Sequence, residues 1–191
     1  MGEVFIENKI YDKIDYRETA FLKGEYENCT FTNCDLLKAN FSRSRFIDCT
    51  FLDSNLSLVK LNETIFRDTR FVGCKMLVLL FQDCNRSGLS FAFDNCILNH
   101  CSFYQTSIKK TIFKSCQLQQ TDWTECDLSG SAFEGCDLRD AKFESTNMEK
   151  VDFRTAFNYS FDPNSNRIRK ARFSILGIPG LLHKYDIEIE S

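Results

Sequence analysis

The amino-acid sequence predicts an all-β rod built from square coils, and three observations lead to that fold class. A large residue, most often Phe or Leu, recurs every five residues from Phe21 to Phe153, with one slip of two residues near Ala92. The residue two places before each large one is almost always small. Residues of like chemistry recur at a spacing of twenty, so four repeats complete one coil. A fixed period of this kind is the signature of a repeat architecture.

A period of five fits neither a helix nor a straight strand. On a helix each step of five turns the side chain by roughly 140°, which scatters the large residues around the axis. On a strand an odd step alternates faces, which would point half of them at water. The chain must therefore change direction about once per repeat, so that every large residue points inward.

The positions around each large residue support this geometry. A residue two places earlier on an extended segment points to the same face, so it is also inward and must be small. A residue two places later lies where the chain bends, and turn-forming types are frequent there. These predicted turn residues are Asn28, Asn33, Asp48, Asp53, Asp68, Gly73, Asp83, Asn95, Gly130, Gly135 and Asp140.

The cysteines are predicted to be structural and not catalytic, metal-binding or disulfide-bonded. All ten occupy the small inward position, and none forms a CxxC pair. A free Cys behaves as a small buried hydrophobe, and reduced thiols fit a cytoplasmic location. No signal peptide and no membrane span are recognised. The ten are Cys29, Cys34, Cys49, Cys74, Cys84, Cys96, Cys101, Cys116, Cys126 and Cys136.

The chain divides into four predicted segments: an N-terminal capping coil (1–20), a first β-helix segment (21–91), a second β-helix segment (92–175) and a C-terminal cap that is also the predicted dimerisation element (176–191). The break over 85–92 is interpreted as a local bulge or short loop, or alternatively as a recognition bump. A longer corner loop is expected over 158–166. In the cap, 181–185 is predicted to form a short helix and 186–190 an edge strand.

No catalytic, cofactor or metal site is predicted, and the protein is not expected to be an enzyme. The sequence has no phosphate loop and no metalloprotease or hydrolase motif. His100 occupies an outward turn position beside the inward Cys101, so the two point apart and cannot form a nucleophile–base pair. Trp123 occupies a central position of the repeat and is predicted to lie in the core.

The charge pattern points to protein partners and away from nucleic acid. A formal net charge of −3 gives no electrostatic basis for direct nucleic-acid binding. A basic cluster follows the repeats at Arg167, Arg169, Lys170 and Arg172. For the basic cluster, and likewise for the acidic residues before it, the alternative is a solvated face without a partner. The acidic band comprises Asp122, Glu125, Asp127, Glu134, Asp137, Asp140, Glu144, Glu149 and Asp152.

The repeats resemble those of the pentapeptide-repeat proteins. Cys126-Asp127-Leu128-Ser129-Gly130 and Cys136-Asp137-Leu138-Arg139-Asp140 match the family's pattern closely, and the resemblance covers roughly four-fifths of the chain. It implies a right-handed quadrilateral β-helix.

The C-terminal third narrows the resemblance. The segments 162–174 and 180–187 are similar to the ending of Qnr-type quinolone-resistance proteins, to which MfpA is related. That resemblance implies a homodimer joined through the C-terminal cap. It also implies a rod that imitates B-form DNA, binds DNA gyrase or topoisomerase IV and either protects it from quinolones or modulates its activity, with the acidic band as the contact. The implied dimer contacts are Leu181, Leu182, Tyr185, Ile187 and Ile189. The alternative is a cytoplasmic scaffold or regulatory rod that binds an unrelated protein.

Overall fold

Two parallel sheets run along the rod in the computed structural model, which describes residues 4–190. The first three residues of the predicted capping coil and Ser191 of the predicted cap lie outside the described residues. One sheet contains β1 (Val4–Glu7), β3 (Gly24–Glu27), β5 (Arg45–Ile47) and β7 (Ile65–Arg67). The other contains β2 (Ile10–Asp12), β4 (Thr30–Thr32), β6 (Thr50–Leu52), β8 (Thr69–Val72), β9 (Phe91–Asp94), β10 (Ile112–Lys114) and β11 (Ala132–Glu134).

The register confirms the predicted coil of twenty residues. Phe31 pairs with Phe51 and Phe51 with Phe71, all in parallel strands. Each coil therefore crosses four faces. The first face is the seven-stranded sheet, and the fourth is the four-stranded sheet with its continuation past Ile108. Single bridges connect the coils on the second face, centred on residues such as Leu56 and Met76, and on the third, centred on residues such as Phe103 and Trp123.

The interior is as the sequence predicts. The central residues are buried, and aromatic rings stack from coil to coil, as Phe31 does on Phe51 with ring centroids 4.7 Å apart. Trp123 is fully buried and stacks on Phe103 at 4.3 Å, while its Nε1 donates a hydrogen bond to Thr121 Oγ1 at 2.7 Å. Burying a large apolar side chain contributes roughly 1.5–3 kcal/mol, so a stack of them holds the rod together.

All ten cysteines are buried free thiols, as predicted. The thiol of Cys49 lies 3.3 Å from the carbonyl oxygen of Tyr26 in the previous coil, so it can donate a hydrogen bond there. Burial raises the pKa of Cys49 and of Cys101 to about 12, which keeps both thiols protonated. These thiols act as small inward fillers that also satisfy backbone carbonyls.

The bends take the left-handed backbone conformation that the turn residues predicted. Asn28, Asp48 and Asn95, for example, have φ between 50° and 53°. Asp83 is the exception, because it ends a 3-10 helix (Phe81–Asp83) at the start of the irregular coil. Asn and Asp are enriched at positive φ because their short side chains tolerate it.

The predicted break over 85–92 is a short loop that adds two residues to one coil. Phe71 pairs with Phe93, a spacing of 22 residues. The loop interrupts the fourth face: Asn85 and Ser90 donate their backbone N–H groups to the Thr64 and Phe66 carbonyls, and the exposed Arg86 stands where the period calls for a large central residue. Phe91 compensates from the small position opposite Thr69, and its ring contacts Phe66 and Phe81 with centroids 6.4 and 5.5 Å away. The loop is thus a local repair of the coil.

The expectation of a longer loop over 158–166 is wrong. Bridges join Asn147 to Arg167 and Asp152 to Arg172, so this coil keeps its twenty residues. Asn158 and Pro163 stand at the central positions and cannot fill the interior. Tyr159 and Phe161 are buried in their place. A 3-10 helix (Pro163–Ser165) then leads into the last partial coil.

The predicted short helix over 181–185 is confirmed, because α1 (Pro179–Leu182) and a 3-10 helix (His183–Tyr185) cover it, and another 3-10 helix (Ile175–Gly177) precedes them. The predicted edge strand over 186–190 is not formed. Asp186 is left-handed, with φ 49°, and the residues after it are exposed, with Ile187 and Ile189 lining a recess beside Ser160.

Candidate partner-binding surfaces

The acidic band forms a belt around the rod and does not lie on one face. The coil register places its members on all four faces over about one and a half coils. Glu134 and Asp152 lie on the first face, and Asp137 and Asp140 on or beside the second. The third face carries Asp122 and Glu144 with Glu125 at its edge, and the fourth carries Asp127 and Glu149.

Four of these carboxylates stabilise local turns. Asp122, Asp127, Asp137 and Asp152 each precede a central residue and accept a hydrogen bond from the backbone N–H two residues later, at 2.9–3.2 Å. Such Asx turns fix the bend of the chain. The same contact is made by Asn147, so this position serves the coil whether or not it is charged.

Ion pairs neutralise part of the belt. Arg154 and Arg172 contact Asp152 at 2.9 and 2.8 Å, and the Arg154 hydrogen bond is the main cause that holds the pKa of Asp152 below its usual value. Partial burial favours the neutral form of Asp127. The Ser129 bonds and the Lys109 ammonium at 3.2 Å outweigh it and lower the pKa of Asp127.

Three carboxylates of the belt remain available to a partner. Between described residues, Glu134, Asp140 and Glu149 make no ion pair and no side-chain hydrogen bond. Glu125 accepts a hydrogen bond from Gln105 at 2.8 Å, and Glu144 lies 3.3 Å from Lys142. Glu134, Asp140 and Glu149 are the side chains of the belt whose charge is least committed within the chain.

The basic cluster lies directly beyond the belt. Arg172 forms an ion pair with Asp152. Arg167, Arg169 and Lys170 are exposed on the last partial coil. The belt is therefore bounded at its C-terminal end by positive charge.

The cap presents apolar side chains, though not all of those predicted. Tyr185, Ile187 and Ile189 are more than half exposed. Leu181 is only 8% exposed and belongs to the chain's own core, and Leu182 is half-buried, so neither side chain is freely presented. Sequence reasoning missed Ile175 and Leu176, which are 90% and 93% exposed. Their signal was the pair of adjacent apolar residues immediately after the five-residue period ends.

The cap is fastened to the last coil by Tyr159 and Asp162. Phe161 donates its backbone N–H to the Gly180 carbonyl at 3.1 Å, and Lys184 Nζ lies 2.6 Å from Asp162 Oδ1. A Cβ on Gly180 would overlap the Tyr159 carbonyl oxygen, so the close approach of α1 requires glycine.

No group of His, Cys, Asp or Glu within residues 4–190 is arranged to hold a metal ion. His100 is exposed and Cys101 buried, as the sequence predicts. Beside the loop over 85–90, a recess of about 400 Å³ is lined by Asp48, Asp68, Arg70 and Phe91 among others. None of the helices in the described chain is long and apolar enough to cross a bilayer.

Comparison with known proteins shows the family and the fold. The family model described as pentapeptide repeat region matches residues 25–92 and 80–153. The structure of a trypsin-treated variant of QnrB1, described as a plasmid-mediated fluoroquinolone resistance protein, is 17% identical with a TM-score of 0.50. That comparison covers 98% of this chain and 100% of that chain.

Two further structures are similar at lower TM-scores. Full-length QnrB1 is 19% identical over 96% of this chain and 100% of that chain, with a TM-score of 0.41. HetL from the cyanobacterium Nostoc sp. strain PCC 7120, described as involved in heterocyst differentiation regulation, is 13% identical, with a TM-score of 0.39. It covers 87% of this chain and 86% of that chain. No curated protein sequence matches the chain.

Proposed function

The chain belongs to the pentapeptide-repeat family, and on that premise we propose that it is a DNA-mimicking rod that binds a type II topoisomerase, DNA gyrase or topoisomerase IV. Binding protects the topoisomerase from quinolones or modulates its activity. The protein acts by occupying a site and not by catalysis. The observation that carries this proposal is the belt of carboxylates around a rod. A duplex likewise surrounds its axis with negative charge, so a groove that encloses DNA meets charge on every side.

The mimicry is local. Roughly eight coils at about 4.8 Å each give a rod of roughly 38 Å. A duplex of that length carries about 22 charges at one per about 1.7 Å. The whole chain has a net charge of −3. We therefore assign the contact to the belt alone, with Glu134, Asp140 and Glu149 as its leading residues.

Two copies joined through their caps would place one belt on each side of the junction. The exposed Ile175, Leu176, Tyr185, Ile187 and Ile189 supply apolar surface for that contact. A symmetric contact of this kind needs a self-complementary patch, which an apolar surface provides. Ile175→Asp with Leu176→Asp is expected to give monomers in light scattering with an unchanged melting temperature. If the variant is still a dimer, the dimer contact lies elsewhere on the chain.

The test of function is a gyrase supercoiling assay with and without ciprofloxacin. Added protein is expected to inhibit supercoiling or to restore it in the presence of the drug. The triple variant Glu134→Gln, Asp140→Asn and Glu149→Gln is expected to lose this effect. The matched control Glu7→Gln, Glu27→Gln and Asp48→Asn removes three carboxylates near the other end of the rod and should retain it.

The assay also separates the alternative, a scaffold that binds an unrelated protein. No effect of the wild-type protein on gyrase or on topoisomerase IV rejects the topoisomerase proposal. Equal loss in both triple variants rejects the assignment to the belt and indicates a dependence on net charge alone.

A further inference from the structure

The corner between the second and third faces carries an exposed apolar patch in the middle of the rod, away from the acidic belt. Leu58, Val78 and Leu80 are 42%, 43% and 42% exposed, and Leu77 and Ile97 are half-buried beside them. The register makes these residues contiguous. Leu58 donates its backbone N–H to the Leu77 carbonyl at 2.9 Å, and Lys75 bridges to Ile97. We call Leu58, Leu77, Val78, Leu80 and Ile97 the aliphatic corner.

The backbone at this corner is unusual for the residues it carries. Among the described non-glycine residues with positive φ, Leu58 (60°) and Val78 (58°) are the only apolar ones. They occupy the same bend of successive coils, about 4.8 Å apart. Val78 is also the only β-branched residue in that set, and a β-branched residue at positive φ is a genuine outlier. Asn or Gly would relieve this strain, so stability alone does not account for the choice of Leu and Val.

The charge around the aliphatic corner defines what would bind there. From Asn55 to Gln120 the second face crosses four coils, and Lys75 is its only Lys, Arg, Asp or Glu. Depletion of charge around exposed aliphatic groups is the composition of an interface core. The exposed charges nearest to Leu58, Val78 and Leu80 along the chain and across the coils are Lys38, Lys60 and Lys75, while the exposed Asp53 lies at the opposite edge of the second face.

We propose that the aliphatic corner is a docking site for a partner-protein segment that carries aliphatic side chains next to carboxylates. The aliphatic groups of the segment pack on Leu58, Val78 and Leu80, and its carboxylates pair with Lys60 and Lys75. A second copy of this chain fits less well, because a two-fold contact through the corner would bring the same lysines of both copies together. The proposal is independent of the topoisomerase interaction.

The test starts from a random peptide library displayed on phage, with peptides of about 16 residues, which is long enough for about four helical turns. The library is selected on the full-length wild-type protein. Selection is repeated on the variant Leu58→Asn with Val78→Asn. Asn is enriched at positive φ, so this variant is expected to melt at or above the temperature of the wild type. Loss of binding in it cannot then be attributed to unfolding.

Peptides enriched on the wild type are expected to carry aliphatic residues and a net negative charge, and to disappear from selections on the variant. The most enriched peptide should bind the variant about tenfold or more weakly. Lys60→Glu with Lys75→Glu should remove the preference for acidic peptides. Enrichment of basic peptides, equal enrichment on both proteins, or no enrichment overturns the proposal. Self-association of the wild type that the variant abolishes also overturns it, since the occupant would be a second copy.

Discussion

Two coils of this rod lose a large central residue, and they repair the loss in different ways. The coil with the loop over 85–90 has the exposed Arg86 where a large central residue is expected, lengthens by two residues and fills the interior with Phe91. The coil over 157–166 keeps twenty residues and fills the interior with Tyr159 and Phe161. The difference shows that the rod conserves interior volume and not the position of any one side chain. The predictions below test how well each repair works.

The largest loss of stability is expected from a substitution in a regular coil, and both repaired coils are compared with it. Phe71→Ala should lower the free energy of unfolding by about 3–5 kcal/mol, because Phe71 is stacked between Phe51 and Phe93, each 5.2 Å away. Phe91→Ala should lower the free energy of unfolding by about 1 kcal/mol less than Phe71→Ala does, because the adjacent loop can collapse into the cavity. Both values come from denaturant unfolding. Equal losses would show that the loop is packed as rigidly as a regular coil.

The second repair depends on the close approach of α1 to Tyr159. Gly180→Ala should destabilise the protein by about 1–3 kcal/mol, because the added methyl meets backbone that cannot move aside. Hydrogen exchange should quicken at the Phe161 amide, which is bonded to the Gly180 carbonyl. Ser160→Ala is the control, since the exposed Ser160 should change stability by less than about 0.5 kcal/mol. Unchanged exchange in Gly180→Ala would mean that α1 does not hold this coil in place.

Cysteine reactivity compares the loop coil with its regular neighbours directly. Cys84 lies at the start of the loop, and Cys101 lies in a regular coil. Both thiols have raised pKa values because they are buried, so each reacts with Ellman's reagent only after local opening. Cys84 should react about tenfold faster, which corresponds to roughly 1.4 kcal/mol less opening free energy. Cys84→Ser should remove the fast phase of the reaction with Ellman's reagent. If the fast phase persists in this variant, it comes from a cysteine in another coil.

The smallest effect concerns the ion pair beneath the last partial coil. The pKa of Asp152 is lowered in the folded state, so its contribution to stability is present above the unfolded value near 3.9 and is lost as pH falls through the folded value. Asp152→Asn should therefore cost less than about 1 kcal/mol at pH 7 and flatten the loss of stability below about pH 4. Arg154→Lys keeps the charge and should retain most of the pH dependence. If the stability of Asp152→Asn falls with pH as it does in the wild type, other carboxylates cause the loss of stability in acid.

The sequence predicted the regular coils well because each of their positions has one physical task. A central residue fills the core, a small residue fits the corner and a turn residue bends the chain, so identity follows from position. Tyr159 and Phe161 could not be placed, because Tyr159 fills the core from a position that the period assigns to the surface and Phe161 fills it from a position that the period assigns to a small residue.

The candidate surfaces were harder to predict than the core. Counting charges along the chain found the acidic band, but only the coil register shows that it encircles the rod. The resemblance to the Qnr-type ending implies a dimer contact at Leu181, yet this side chain packs into its own chain. The aliphatic corner could not be predicted from the sequence, because Leu58 and Val78 are exposed apolar residues at bend positions where the repeat predicts polar residues.

The spacing of the backbone hydrogen bonds has a consequence for how the protein is made. Bonds between successive coils join residues about twenty positions apart, such as Asn28 with Ile47 and Leu98 with Gln117. In a solenoid each unit contacts only its neighbours, so order can spread from one unit to the next. A nascent chain can therefore add one finished layer for each twenty residues that leave the ribosome, and α1 can pack against the stack only after the coil that contains Tyr159 has formed.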